Sequence, residues 1–207
     1  VGEKVFYYVT VMNEAYVQPA MPDGIEEGIV RGMYRLQKQA QDGPKHVRLL
    51  GSGTILREVL AAADLLESFG VTSEVWSVTS FNELRRNGDD VDRWNLLHPD
   101  EPPRTAFVTQ CLTGSDAPVI AATDYLKLYA DQIRPYVPAA FRVLGTDGFG
   151  RSDTRSKLRW FFEVDRHFVT IAALASLADK QVIARSVVRD AMVRFAIDPE
   201  KANPRLV

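Results

Sequence analysis

The sequence has 207 residues, 46% hydrophobic and 25% charged, which suits one ordinary globular domain plus some attached chain. Its 25 basic and 27 acidic residues leave a net charge of -2, which offers nucleic acid no electrostatic hold. No apolar run approaches the roughly 20 residues that span a bilayer. The only cysteine, Cys111, excludes an internal disulfide and fits a reducing compartment, the cytoplasm.

The chain opens at Val1 with no initiator Met and no secretory signal, and runs straight into strand-like residues. That opening predicts a piece cut from something longer. Residues 4–12 (KVFYYVTVM) are aromatic and β-branched and predict a strand. Residues 13–28 carry Pro19, Pro22, Gly24 and Gly28 without a clear period and predict an extended linker. A further strand is expected over Ile29 to Leu36, before the polar stretch that ends in Asp42-Gly43-Pro44. The compact domain is therefore expected to begin near Lys45, dividing the chain into 1–44 and 45–207.

From Lys45 onward, strand-like and helix-like segments alternate. Val47 to Leu50 is a short apolar run, and Ile55 to Ser68 has the apolar spacing of a helix with one buried face, closed by Gly70. Glu74 to Val78 predicts a strand and Phe81 to Trp94 a polar helix. Phe107 to Leu112 and Val119 to Ala122 are two more strand-like runs. Tyr125 to Ile133 has helical spacing up to Pro135, and Phe141 to Leu144 is another strand. Asp153 and Asp165 are placed to cap helices ending near Phe162 and Ala178, and Ala184 to Phe195 is the last helix. The expected fold is α/β, a three-layer α/β/α arrangement around a mostly parallel (mixed) sheet of about five strands.

Few residues point to chemistry. Gly51-Ser52-Gly53 lies between a strand and a helix, where a glycine turn either cradles a phosphate or lets the helix pack on the sheet. The dinucleotide fingerprint wants a small residue where Leu56 stands, so the packing reading is preferred. The loop after Leu144 is the most unusual stretch. Asp147, Gly148, Phe149, Gly150, Arg151 and Ser152 form a candidate interface or anion loop, in which Asp147 and Arg151 can pair or hold a charged group. His46, His98 and His167 show no metal-ligand spacing, and Cys111 reads as a small apolar residue without a thiolate-stabilising context. No serine elbow is present. The residues alone predict no catalytic, cofactor or metal site.

The segments VFYYVTVMNEAY (5–16), QPAMPDGIEEGI (18–29), LLGSGTILREV (49–59), EVWSVTSFNEL (74–84), RWNLLHP (93–99), PVIAATDYLKLYADQIRPYVP (118–138), RVLGTDGFGRSDTR (142–155) and NPRLV (203–207) follow one another along the whole chain. Together they resemble the C-terminal part of the homodimeric pyruvate dehydrogenases. This resemblance implies a transketolase C-terminal-like domain, led by the last strand and linker of the domain before it. The family's whole enzyme decarboxylates pyruvate on thiamine diphosphate and Mg²⁺ and acetylates the lipoyl group of the dihydrolipoyl acetyltransferase core. In the family the cofactor lies between the two earlier domains, so the resemblance carries no catalytic residue onto this chain. It implies instead a role in building the homodimer, with loop 146–153 and linker 13–28 as contact regions and Phe149 as an aromatic anchor. Two readings compete: an independent small-molecule or nucleotide-binding domain using the glycine turns, and a pure interaction module with a large exposed apolar patch.

Overall fold

The computed structural model describes every residue except Val1, Glu3, Thr10, Asn13, Gln41 and Asp42. Its sheet has five strands: β1 (Met33–Lys38), β2 (His46–Ser52), β3 (Thr72–Val78), β4 (Val119–Ala122) and β5 (Phe141–Leu144), in the order β1-β3-β2-β4-β5. Strands β3, β2, β4 and β5 run parallel, and β1 pairs antiparallel with β3 at one edge. The two central strands, β2 and β4, are buried along their whole length, as near-continuous apolar strands covered on both faces must be.

Alternation along those strands feeds two cores. Val47, Leu49, Ile120 and Ala122 face α2 (Leu56–Glu67), α7 (Arg166–Asp179) and α8 (Arg185–Arg194). Leu50, Val119 and Ala121 face α3 (Phe81–Leu97), α4 (Phe107–Leu112) and α5 (Lys127–Asp131). This is the expected three-layer α/β/α arrangement. Each Leu, Val or Ile sealed in these layers contributes about 1.5–3 kcal/mol of apolar burial. Two short helices, α1 (Glu26–Arg31) and α6 (Arg155–Phe161), lie outside the layers' centres. No helix among the described residues is long and apolar enough to cross a membrane.

Several elements depart from the sequence-based expectation. Phe107 to Leu112 is a helix, not a strand. Val108 and Leu112, one turn apart, are both fully buried, and the Phe107 N–H donates to Asn87 Oδ1 of α3 at 2.7 Å. A six-residue apolar run fits either period, and here a cap supplied by a distant helix selects the helical one. None of the described residues of 4–12 is in a strand. Phe6, Tyr7 and Tyr8 stand exposed, and a strand exists only beside a hydrogen-bonded neighbour, which this sheet does not give it. Helix α1 occupies the start of the strand expected from Ile29. Gly32 ends that helix in the left-handed region (φ 107°), its N–H returning to Gly28 O, and β1 starts at the next residue.

Thr154, not Asp153, takes the cap position of α6, while Asp153 accepts from the Thr154 N–H at 2.7 Å. Pro135 sits inside a 3₁₀ turn (Arg134–Tyr136) that follows α5. The sheet also takes in chain that precedes Lys45, because β1 forms its edge. Val1, Thr10 of the expected first strand, Asn13 of the linker and Asp42 of the Asp-Gly-Pro stop lie outside the described residues.

Candidate functional site

Parallel strands β2, β4 and β5 end on the same side, and the chain crosses from one face of the sheet to the other between β2 and β4. Such a switch point opens a crevice at the carboxyl ends of the strands. Its base is tied by short polar side chains. Ser52 Oγ donates to Thr123 Oγ1 at 2.9 Å, both residues being buried, and Thr54 Oγ1 donates to Asp124 Oδ2 at 3.3 Å. The cavity above holds about 380 Å³, with Ile55, Leu158, Phe162 and Val164 as apolar lining and Asp124 and Arg151 among its polar groups.

The glycine turn entering this crevice has a packing role. A Cβ on Gly51 would stand 2.8 Å from Leu56 Cα and 3.1 Å from Val59 Cγ2, so glycine lets α2 close onto β2. Gly53 adopts φ 53°, which redirects the chain from strand to helix.

The candidate loop is spread between local duties. Asp147 Oδ1 accepts from the Lys127 N–H at 2.9 Å at the start of α5. Arg151 does not pair with Asp147; its guanidinium lies 4.4 Å over the Phe161 ring. Gly148 has φ 109° and lies against the carbonyl of Pro204, so the loop is laid on the C-terminal tail. Phe149 projects outward, 78% exposed, while Gly150 meets nothing within 4 Å of where a Cβ would stand, and Ser152 is exposed. The structure therefore brings Gly148, Phe149, Gly150 and Arg151 to the rim of the cavity, but does not gather Asp147 and Ser152 with them.

Sequence reasoning missed the most connected ionic group nearby. Glu58 lies on the buried face of α2, 4% exposed, and its carboxylate meets Arg159 of α6 at 3.3 Å and Arg166 of α7 at 2.9 Å. The signal was present: a glutamate between Ile55 and Val59 breaks an apolar helical face and so asks for a buried partner. Asp165, by contrast, caps α7 as expected, accepting from the N–H groups of His167 and Phe168. His167 Nδ1 lies 3.3 Å from the Asp165 carboxylate, and Cys111 packs half-buried with its thiol pushed up to about 11 by burial, which leaves it unreactive at neutral pH. Among the described residues, no three His, Cys, Asp or Glu side chains group in a way that holds a metal.

The family model described as the transketolase-like TK C-terminal domain matches residues 32–165. The chain is 60% identical, over 204 residues, to the pyruvate dehydrogenase E1 component of Pseudomonas aeruginosa, covering 98% of this chain and 23% of that protein. It is 55% identical to the pyruvate dehydrogenase E1 component of Escherichia coli K12 over 207 residues, covering 99% and 23%. The chain thus spans about a quarter of the length of these curated relatives. Among solved structures, a transketolase from Pichia stipitis superposes with a TM-score of 0.51 at 17% identity, over 75% of this chain and 19% of that one, and shares the fold. On its mixed sheet, its switch-point crevice and the matched span of sequence, the chain belongs to the transketolase-like C-terminal domain family.

Proposed function

We propose that this chain is the C-terminal domain of a pyruvate dehydrogenase E1 component, a cytoplasmic thiamine diphosphate-dependent oxidoreductase, and that its own task is subunit assembly. The observation that carries the reading is the 55–60% identity to proteins of that name, sustained over almost the whole chain. The longer protein would decarboxylate pyruvate and pass the acetyl group to the lipoyl group of the acetyltransferase core, working as a homodimer.

Mg²⁺ beside a diphosphate needs convergent oxygen ligands. The described residues of this chain do not offer such a set, since Asp124 stands alone at the crevice and is already bonded to Thr54. They do not fit the cofactor, which in this reading belongs to the other domains of the longer protein. The exposed Phe149 and the glycine loop around it supply a contact surface, and the leading segment through residue 24 supplies the link to the preceding domain. Its boundary lies ahead of α1 in this reading, because β1 is part of the sheet.

Titration calorimetry of the longer protein and of this chain with thiamine diphosphate and Mg²⁺ tests the reading, together with pyruvate-dependent acetylation of a lipoyl domain. Binding and acetylation by the longer protein, with no Mg²⁺-dependent heat from this chain, is the expected result. A longer protein that binds the cofactor but leaves pyruvate untouched would overturn the assignment.

A further inference from the structure

Beside the crevice, between α2, α6 and the start of α7, lies a second hollow of about 780 Å³ lined by Arg57, Arg155, Arg159 and Arg166. Its carboxylates, apart from Glu14, are two: Glu58, held by Arg159 and Arg166, and Asp165, spent on capping α7. The leading segment reaches into this hollow with Glu14, whose carboxylate lies 3.4 Å from Arg57 Nη1 and 3.5 Å from Arg155 Nε. These are ion-pair distances, longer than the roughly 2.7–2.9 Å of a charge-assisted hydrogen bond. Arg57 Nη1 and Glu14 Oε2 are both shielded from solvent and without a hydrogen-bond partner. The Tyr16 ring, 5.1 Å from the Arg57 guanidinium, keeps that group in place. The hydroxyls of Thr154 and Ser156, 3.3 Å apart, stand on the same wall.

We propose that this arginine-lined hollow is a phosphate-group site, with Glu14 as its built-in occupant. A carboxylate tethered to the chain neutralises the arginines without reaching bonding distance. Withdrawing it leaves Arg57 without its carboxylate, and a phosphate takes that place. A guanidinium fork donates to two phosphate oxygens at once, and a tetrahedral anion has further oxygens to accept from the wall hydroxyls. The hollow shares Arg155 and Arg159 with the apolar crevice, so a phosphomonoester can seat its phosphate among the arginines and its body against Ile55 and Leu158. Occupation expels Glu14 and frees the segment around Tyr16.

Calorimetric titration of the 207-residue chain with inorganic phosphate at fixed ionic strength, with acetate as comparator, tests this. Saturable phosphate binding is expected, with acetate at least about tenfold weaker. Glu14→Gln removes the competitor and is expected to tighten phosphate about fivefold, whereas Arg57→Gln weakens it about tenfold or more. Phosphate is also expected to speed chymotrypsin cleavage after Tyr16. Phenyl phosphate binding tighter than phosphate marks an organic ligand, and equal affinity marks free phosphate; either supports the site. Absence of saturable phosphate binding in both the wild type and Glu14→Gln overturns the proposal. So does acetate binding as tightly as phosphate, or an Arg57→Gln chain that melts as wild type and keeps its affinity.

Discussion

Glu58 carries a charge where the period of α2 calls for an apolar side chain, and its partners decide its effect. Burial by itself raises its pKa, but hydrogen bonds and charge from Arg166, with the charge of Arg159, outweigh burial and hold the carboxyl below the ordinary glutamate range. Because the folded pKa lies below the unfolded one, this contribution is fully present above the unfolded value and is lost as pH falls through the folded value. Glu58→Gln leaves two arginines without their carboxylate and is expected to cost about 3 kcal/mol in urea unfolding at neutral pH. The variant should also show a flatter acid limb of stability below pH about 5. A wild-type denaturation midpoint would show that the ion pairs contribute nothing net. His46 is the opposite case: burial comes first among its causes and lowers its pKa against the pull of Glu74, and its Nδ1 lies 2.7 Å from Thr72 Oγ1.

At the level of elements, the turn from β2 into α2 shows how a glycine is selected by packing. The nearest atom to a Cβ on Gly51 is the Leu56 backbone, which cannot rotate away as a side-chain tip would. Gly51→Ala is therefore expected to lower stability by about 2 kcal/mol, read as a fall in the thermal midpoint. An unchanged midpoint would mean that α2 slides on the sheet at no cost. This packing reading was legible from the sequence, because Leu56 stands where a dinucleotide fingerprint needs a small residue. The helical state of Phe107 to Leu112 was not legible, since its cap comes from Asn87 on another helix. The sheet has as many strands as expected within 45–207, but β1 takes the place assigned to 107–112. Arg48 stitches this region to the sheet: buried on β2, it donates to the carbonyls of Leu112, Thr113 and Ser115.

For the whole molecule, one group of exposed apolar side chains follows the carboxyl ends of the parallel strands β4 and β5, while others, such as Val30, Leu96, Leu97 and Val193, lie on helices. Tyr125, Leu126 and Leu128 follow β4, Phe149 follows β5, and Leu206 lies in the tail beneath the Phe149 loop. Under the proposed role in assembly, Phe149→Ala is expected to leave the stability of this chain within about 0.5 kcal/mol. It should weaken the homodimer of the longer protein by about tenfold or more in Kd, measured by analytical ultracentrifugation. A dimer of unchanged strength would remove Phe149 from the interface and leave the loop with its local role against Pro204 and Lys127.

The sequence by itself determined the class of fold, the alternation of elements from Lys45 onward except at Phe107 to Leu112, and the family. Apolar periodicity and the runs VIAA and HVRLL depend on local composition, and the matched segments are long and in order. Tertiary structure alone decided which short apolar run becomes a strand, because a strand is defined by its hydrogen-bonded neighbour and a six-residue run satisfies both periods. It also decided the site: Glu14, Arg57, Arg155, Arg159 and Arg166 are scattered over the chain and meet only when α6 and α7 fold back over α2. The loop from Asp147 to Ser152 was conspicuous in the sequence for its glycines. Where its side chains went was set by the backbone of α5, the Phe161 ring and the C-terminal tail, none of which its own residues specify.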